Sequence, residues 1–127
     1  MINFFLVFIG GACGSVSRYL ATQLINYFFV NKFFLGTILV NILGSFLIGM
    51  LYILASEQVK VISEQTKLFL ITGFLGGFTT FSAFSLDFFK LIEAGQIMMA
   101  IFYILISVVF LLLAVFAGFY LTKFWMA

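Results

Sequence analysis

The stretch GFLGGFTTFSAFS, residues 73–85, lies in the middle of a long apolar segment, residues 67–89, and conflicts with its setting. The segment suits a membrane-crossing helix, because a hydrocarbon core of about 30 Å needs roughly 20 residues. Two adjacent glycines followed by two β-branched threonines are nevertheless poor helix sequence. A helix broken inside lipid frees main-chain groups that only protein, ions or enclosed water can satisfy. The stretch predicts an interrupted transmembrane helix, and a continuous helix with a glycine packing face is the competing reading.

The rest of the chain fits a lipid setting. Of its 127 residues 65% are hydrophobic and 8% charged, and the mean hydropathy is +1.32. Soluble domains are nearer half apolar and a quarter charged, and a small soluble fold leaves too much surface in water to hide this composition. Four spans emerge, roughly residues 4–29, 33–55, 67–89 and 96–122 of one domain covering 1–127, joined by short connectors. The expected fold is an all-α, multi-pass integral membrane protein. The first span lacks a basic leader and runs too long for a signal peptide, so it is read as a mature helix. The single cysteine, Cys13, has no partner and is expected to be a packing residue. The chain contains no His, which removes the commonest metal ligand and general base.

Orientation follows from Lys and Arg at the span ends. Lys60, Lys67 and Lys123 fall on one side, and Arg18, Lys32 and Lys90 on the other, three of the six on each. A chain without bias inserts both ways round. Dual topology and an antiparallel homodimer are therefore expected, against the alternative that one residue decides the orientation.

Polar residues inside a span mark packing interfaces or pathways. In GGACGSVSRY, residues 10–19, Gly10 and Gly14 make a small face for close helix packing, as do Gly11 and Ser15. Arg18 either snorkels or supplies positive potential at the mouth of an anion path. Thr37, Asn41 and Ser45 recur every fourth residue on the second span. Thr and Ser can bond their own backbone, but Asn cannot satisfy its carboxamide that way. Asn41 thus has an interhelical partner or faces a pore. Phe81 and Phe84 share a face just beyond the break, where lipid packing competes with a pore role. Tyr103 and Ser107 begin a polar track on the fourth span that stops at Leu111. Asp87, Lys90 and Glu93 read as a solvated helix end before a pore mouth.

Together these residues resemble the Fluc (CrcB) family of fluoride channels over the whole chain. The resemblance rests on residues 10–19, on GTILVNILGSFLIG at 36–49, and most specifically on GFLGGFTTFSAFS at 73–85. It implies small subunits paired antiparallel, two separate pores, and passive export of fluoride across the inner (plasma) membrane. By position it implies pore roles for Asn41, Phe81, Phe84, Ser82, Tyr103, Ser107 and Thr37, and a vestibule role for Arg18. It also implies a structural Na⁺ on the dimer axis, held by the main-chain carbonyls of Gly76 and Thr79. The implied partners are fluoride, a second copy and the lipid bilayer, with no nucleic acid. Leu111 departs from relatives that carry a hydroxyl there. Two rivals remain. A proton-coupled multidrug exporter needs an embedded carboxylate, and Glu57, Glu64, Asp87 and Glu93 all read as loop or span-end residues. A non-transporting accessory subunit needs only the glycine faces. An enzyme is not expected, because no nucleophile–base pair or metal cluster is spaced for one.

Overall fold

A computed structural model of the chain describes residues 1–56 and 59–127; Glu57, read above as a loop or span-end residue, and Gln58 lie outside them. Four helices in the described residues are long and apolar enough to cross a membrane: Ile2–Phe28, Phe34–Leu54, Glu64–Glu93 and Ile97–Met126. We label the first α1 and the second α2. The third span is built in pieces: α3 (Glu64–Lys67), a π-helical segment (Leu68–Leu75), α4 (Gly76–Phe78) and α5 (Phe81–Glu93). The fourth span is α6 (Ile97–Met126).

The expected interruption is present and falls at Thr79 and Thr80. Thr79 has φ −90° and ψ 153°, and Thr80 has φ −154° and ψ 125°, so both are extended. The second half of the span restarts cleanly, because the Thr80 hydroxyl accepts the Ala83 amide at 3.2 Å as an N-cap. At the start of the span, Ser63 caps α3 in the same way through the Thr66 amide at 3.1 Å. The chain turns from α5 to α6 through Gly95, whose φ of 75° suits a residue without Cβ.

Small residues set the packing. The Gly10/Gly14 face of α1 lies against the third span so closely that a Cβ on Gly14 would collide with the Phe74 carbonyl. On the other side of the molecule α2 packs along α6, where a Cβ on Gly49 would strike the Val115 carbonyl and one on Gly118 the Phe46 carbonyl. Such backbone contact is the usual basis of helix association in lipid, where no hydrophobic drive holds helices together. Two buried clusters fill the remaining space: Ile38, Leu91, Ala100 and Tyr103, and Val40, Leu75 and Phe78. Outward faces carry large apolar side chains such as Phe4, Leu24, Leu105 and Phe116, as lipid requires.

Two expectations are corrected. Cys13 is exposed on the outer face of α1 rather than packed. Asp87 does not lie on a solvated helix end. It is only 7% exposed, because α5 turns that face inward onto α6.

Candidate functional site

The break is held from α2. Asn41 donates through Nδ2 to the Thr80 carbonyl at 3.0 Å and accepts the Thr80 amide on Oδ1 at 2.9 Å. An extended residue presents its N–H and C=O on one side, as in a sheet, so one planar carboxamide satisfies both. The interhelical-partner reading of Asn41 is thus realised. Asn41 also lines a cavity of about 210 Å³ together with Thr79, Thr80, Phe81, Phe84, Ser107, Val108 and Leu111.

The polar character of this cavity is sparse. Ser107 is 1% exposed, and its hydroxyl has no hydrogen-bond partner among the described residues. A buried serine in a membrane helix usually bonds a carbonyl of its own preceding turn, so an unpaired one is costly and marks a place where something else can bind. Phe81 and Phe84 lie with ring centroids 5.5 Å apart, tilted by 41°. Phe84 stacks on Tyr103 at 5.0 Å, whereas Phe81 is 79% exposed in the isolated chain. Among the described residues no Lys, Arg, Asp or Glu contributes to the cavity wall.

Tyr103 and Thr37 do not line that cavity. Tyr103 donates to Asp87 Oδ2 at 3.3 Å, and Thr37 sets its side chain against both. The Phe84–Tyr103 stack joins this buried group to the cavity. Ser82 lies outside both groups and shares a hydrogen bond with the Thr80 hydroxyl at 3.0 Å. Arg18 sits on the far side of the third span, with Nε donating to the Gly77 carbonyl at 3.0 Å.

Among the described residues no group of three or more His, Cys, Asp or Glu could hold an ion, and main-chain carbonyl oxygens are another class of ligand for a hard cation. The break supplies such oxygens. In a continuous helix the Gly76 carbonyl would take the Thr80 amide and the Thr79 carbonyl the Ala83 amide. Those amides go instead to Asn41 and to the Thr80 hydroxyl. Gly76 and Thr79 therefore each lose their helical donor, which fits carbonyls offered to a hard cation.

The family model described as CrcB-like protein, Camphor Resistance (CrcB), matches residues 5–119. The chain belongs to the CrcB family. It is 51% identical over 118 residues to a protein of Agrobacterium fabrum, covering 93% of this chain and 94% of that one. It is 48% identical over 118 residues to one of Rhizobium meliloti, again 93% and 94%. A protein of Azobacteroides pseudotrichonymphae is 45% identical over 120 residues, 94% and 95% of the two chains. All three relatives are named fluoride-specific ion channel FluC, and none is named as an enzyme. Sequence reasoning about this CrcB chain missed the structural role of Thr80 and the burial of Asp87. The N-cap pattern of Thr80 three residues before Ala83 was a usable signal for the first. For Asp87 the signal was the helical spacing that places it on the same face of α5 as Phe84 and Leu91.

Proposed function

We propose that the chain forms a fluoride-selective passive channel that lets cells expel the ion. The observation that carries this reading is the neutral cavity in which Asn41, Phe81, Phe84 and Ser107 meet. Fluoride is small and holds water tightly, so its path must replace that shell with compact donors such as amide and hydroxyl hydrogens. The Ser107 hydroxyl and the second Nδ2–H of Asn41 are donors of this kind. Phenyl rings are positive at their edges, so Phe81 and Phe84 can line an anion path without a fixed charge that would trap the ion.

The working unit in this reading is an antiparallel homodimer with two pores, and the even division of Lys and Arg between the two sides supports it. Ser82, Tyr103 and Thr37 extend the polar surroundings of the path. A Na⁺ on the two-fold axis, held by Gly76 and Thr79 carbonyls from both copies, would neutralise the exposed oxygens and add positive potential between the pores.

Liposomes containing the purified protein are expected to release fluoride and retain chloride, with release slowed when N-methylglucamine replaces Na⁺. Equal passage of both anions would end the selective-channel reading. The buried Asp87 favours one competitor, a proton-coupled exporter, which predicts transport of an organic cation driven by an imposed pH gradient in the same vesicles. Absence of any transport would favour an accessory subunit. For topology, a C-terminal tag on cell-embedded protein is expected to be labelled from both sides of the membrane, and labelling from one side alone would rule out dual insertion.

A further inference from the structure

Breaking the third span frees carbonyls on its N-terminal half, as at any helix end. Gly77 carries one of them. Its peptide is gripped from α1 in two ways. A Cβ on Gly77 would run into the Gly11 carbonyl and meet Ser15 N and Oγ at 3.0 Å, so the two main chains are in contact there. One turn along α1, Arg18 Nε donates to the Gly77 carbonyl at 3.0 Å, a bond strengthened by the positive charge of the donor. Three residues later Thr80 is fixed from α2 by Asn41, and Phe81 follows at once. The extended pair Thr79–Thr80, which leads into Phe81 at the start of α5, is thus bracketed by the Arg18 bond to Gly77 and the Asn41 bonds to Thr80.

We infer that Arg18 is a positioning residue for the broken helix, acting through the Nε–H bond to Gly77 rather than through the reach of its charge into an anion vestibule. The inference rests on the channel reading only for its conduction arm. Side-chain topology separates the two roles. The Nε2 of glutamine occupies the same place along the side chain as the arginine Nε, so Arg18→Gln keeps a donor at Gly77 and removes the charge. Arg18→Lys keeps the charge and puts a methylene at that place. Arg18→Met ends in a methyl at that same place and has neither.

Fluoride efflux through Arg18→Gln is expected within about twofold of the unmodified protein. Arg18→Lys and Arg18→Met are expected to be slower by about tenfold, the scale of one lost charge-assisted hydrogen bond. The opposite order, with Lys retaining efflux and Gln losing it, would overturn the inference in favour of a charge role. A second measurement needs neither a variant nor conduction. Arg18 is the only arginine in the sequence, so ¹⁵N-labelled protein gives one Nε–H resonance. That hydrogen is expected to exchange slowly with solvent, whereas exchange at the rate of a free guanidinium would refute the bond. If the unmodified protein carries no fluoride while its Nε–H is protected, the channel reading fails and the positioning role stands.

Discussion

Asn41→Leu is expected to slow fluoride efflux by at least about 100-fold and to leave a measurably less stable protein. The leucine fills similar space but strands both the amide and the carbonyl of Thr80, which Asn41 satisfies at 2.9 and 3.0 Å. Each orphaned group costs about 1–3 kcal/mol, so the loss is roughly 2–6 kcal/mol if the local structure does not rearrange. Lipid cannot repay it, because it offers no hydrogen bonds. Asn41→Asp is the informative companion. It keeps an acceptor for the Thr80 amide, loses the donor to the carbonyl, and puts a negative charge on the proposed anion path. It is expected to fold better than Asn41→Leu and still to fail in liposome efflux. Efflux near the unmodified rate in either variant would remove Asn41 from the pathway.

The second large effect concerns two residues on one helix. Gly14→Ala places its methyl on the Phe74 carbonyl and 2.9 Å from the Phe78 amide nitrogen. These are main-chain atoms that move only if α1 and the third span separate. Overpacking against flexible side chains costs about 1–3 kcal/mol, so a collision with backbone is expected to cost at least about 3 kcal/mol. Gly11→Ala has its nearest neighbour at 3.8 Å, the Gly73 carbonyl, which is an ordinary contact. It is expected to be neutral within about 1 kcal/mol, the scale of the helix-propensity gain from Gly to Ala. Size-exclusion profiles and thermal aggregation in mild detergent distinguish the two. Equal tolerance of both substitutions would contradict the close α1 packing.

These effects show where the sequence could and could not be read. Four spans follow from hydropathy alone, and the break in the third follows from Gly76-Gly77 and Thr79-Thr80, because local propensity conflicts there with the membrane's demand for a helix. The need of Asn41 for a partner is also local, since a carboxamide cannot satisfy itself within its own turn. The partner's identity is not, because Thr80 lies 39 residues away and only the packing of α2 against the third span brings it near. The π-helical turns of Leu68–Leu75 leave no mark in the apolar run LFLITGFL. Arg18 was legible as an expensive residue but not as a ligand of Gly77, because which carbonyls the break frees depends on where the chain turns extended. Asp87 was misread because nearby charges in sequence suggest a wet surface, whereas α5 packs this face inward: Asp87 lies against Tyr103 with the Lys90 charge near it, and Lys90 sits over the Phe33 ring.

The pairing of Asn41 with Thr80 has a consequence for any anion that reaches it. A carboxamide is planar, and two of its bonding directions are already occupied by Thr80. The remaining Nδ2–H cannot swing, since turning it would break both bonds at once. An ion arriving there meets a dipole already aimed, with no rotamer left to search and no reorganisation to pay at the moment its water is lost. Water in bulk offers fluoride more hydrogen bonds but must rearrange to do so. A donor fixed by the backbone it repairs competes with that shell through preorganisation, and the break in the helix is what fixes it.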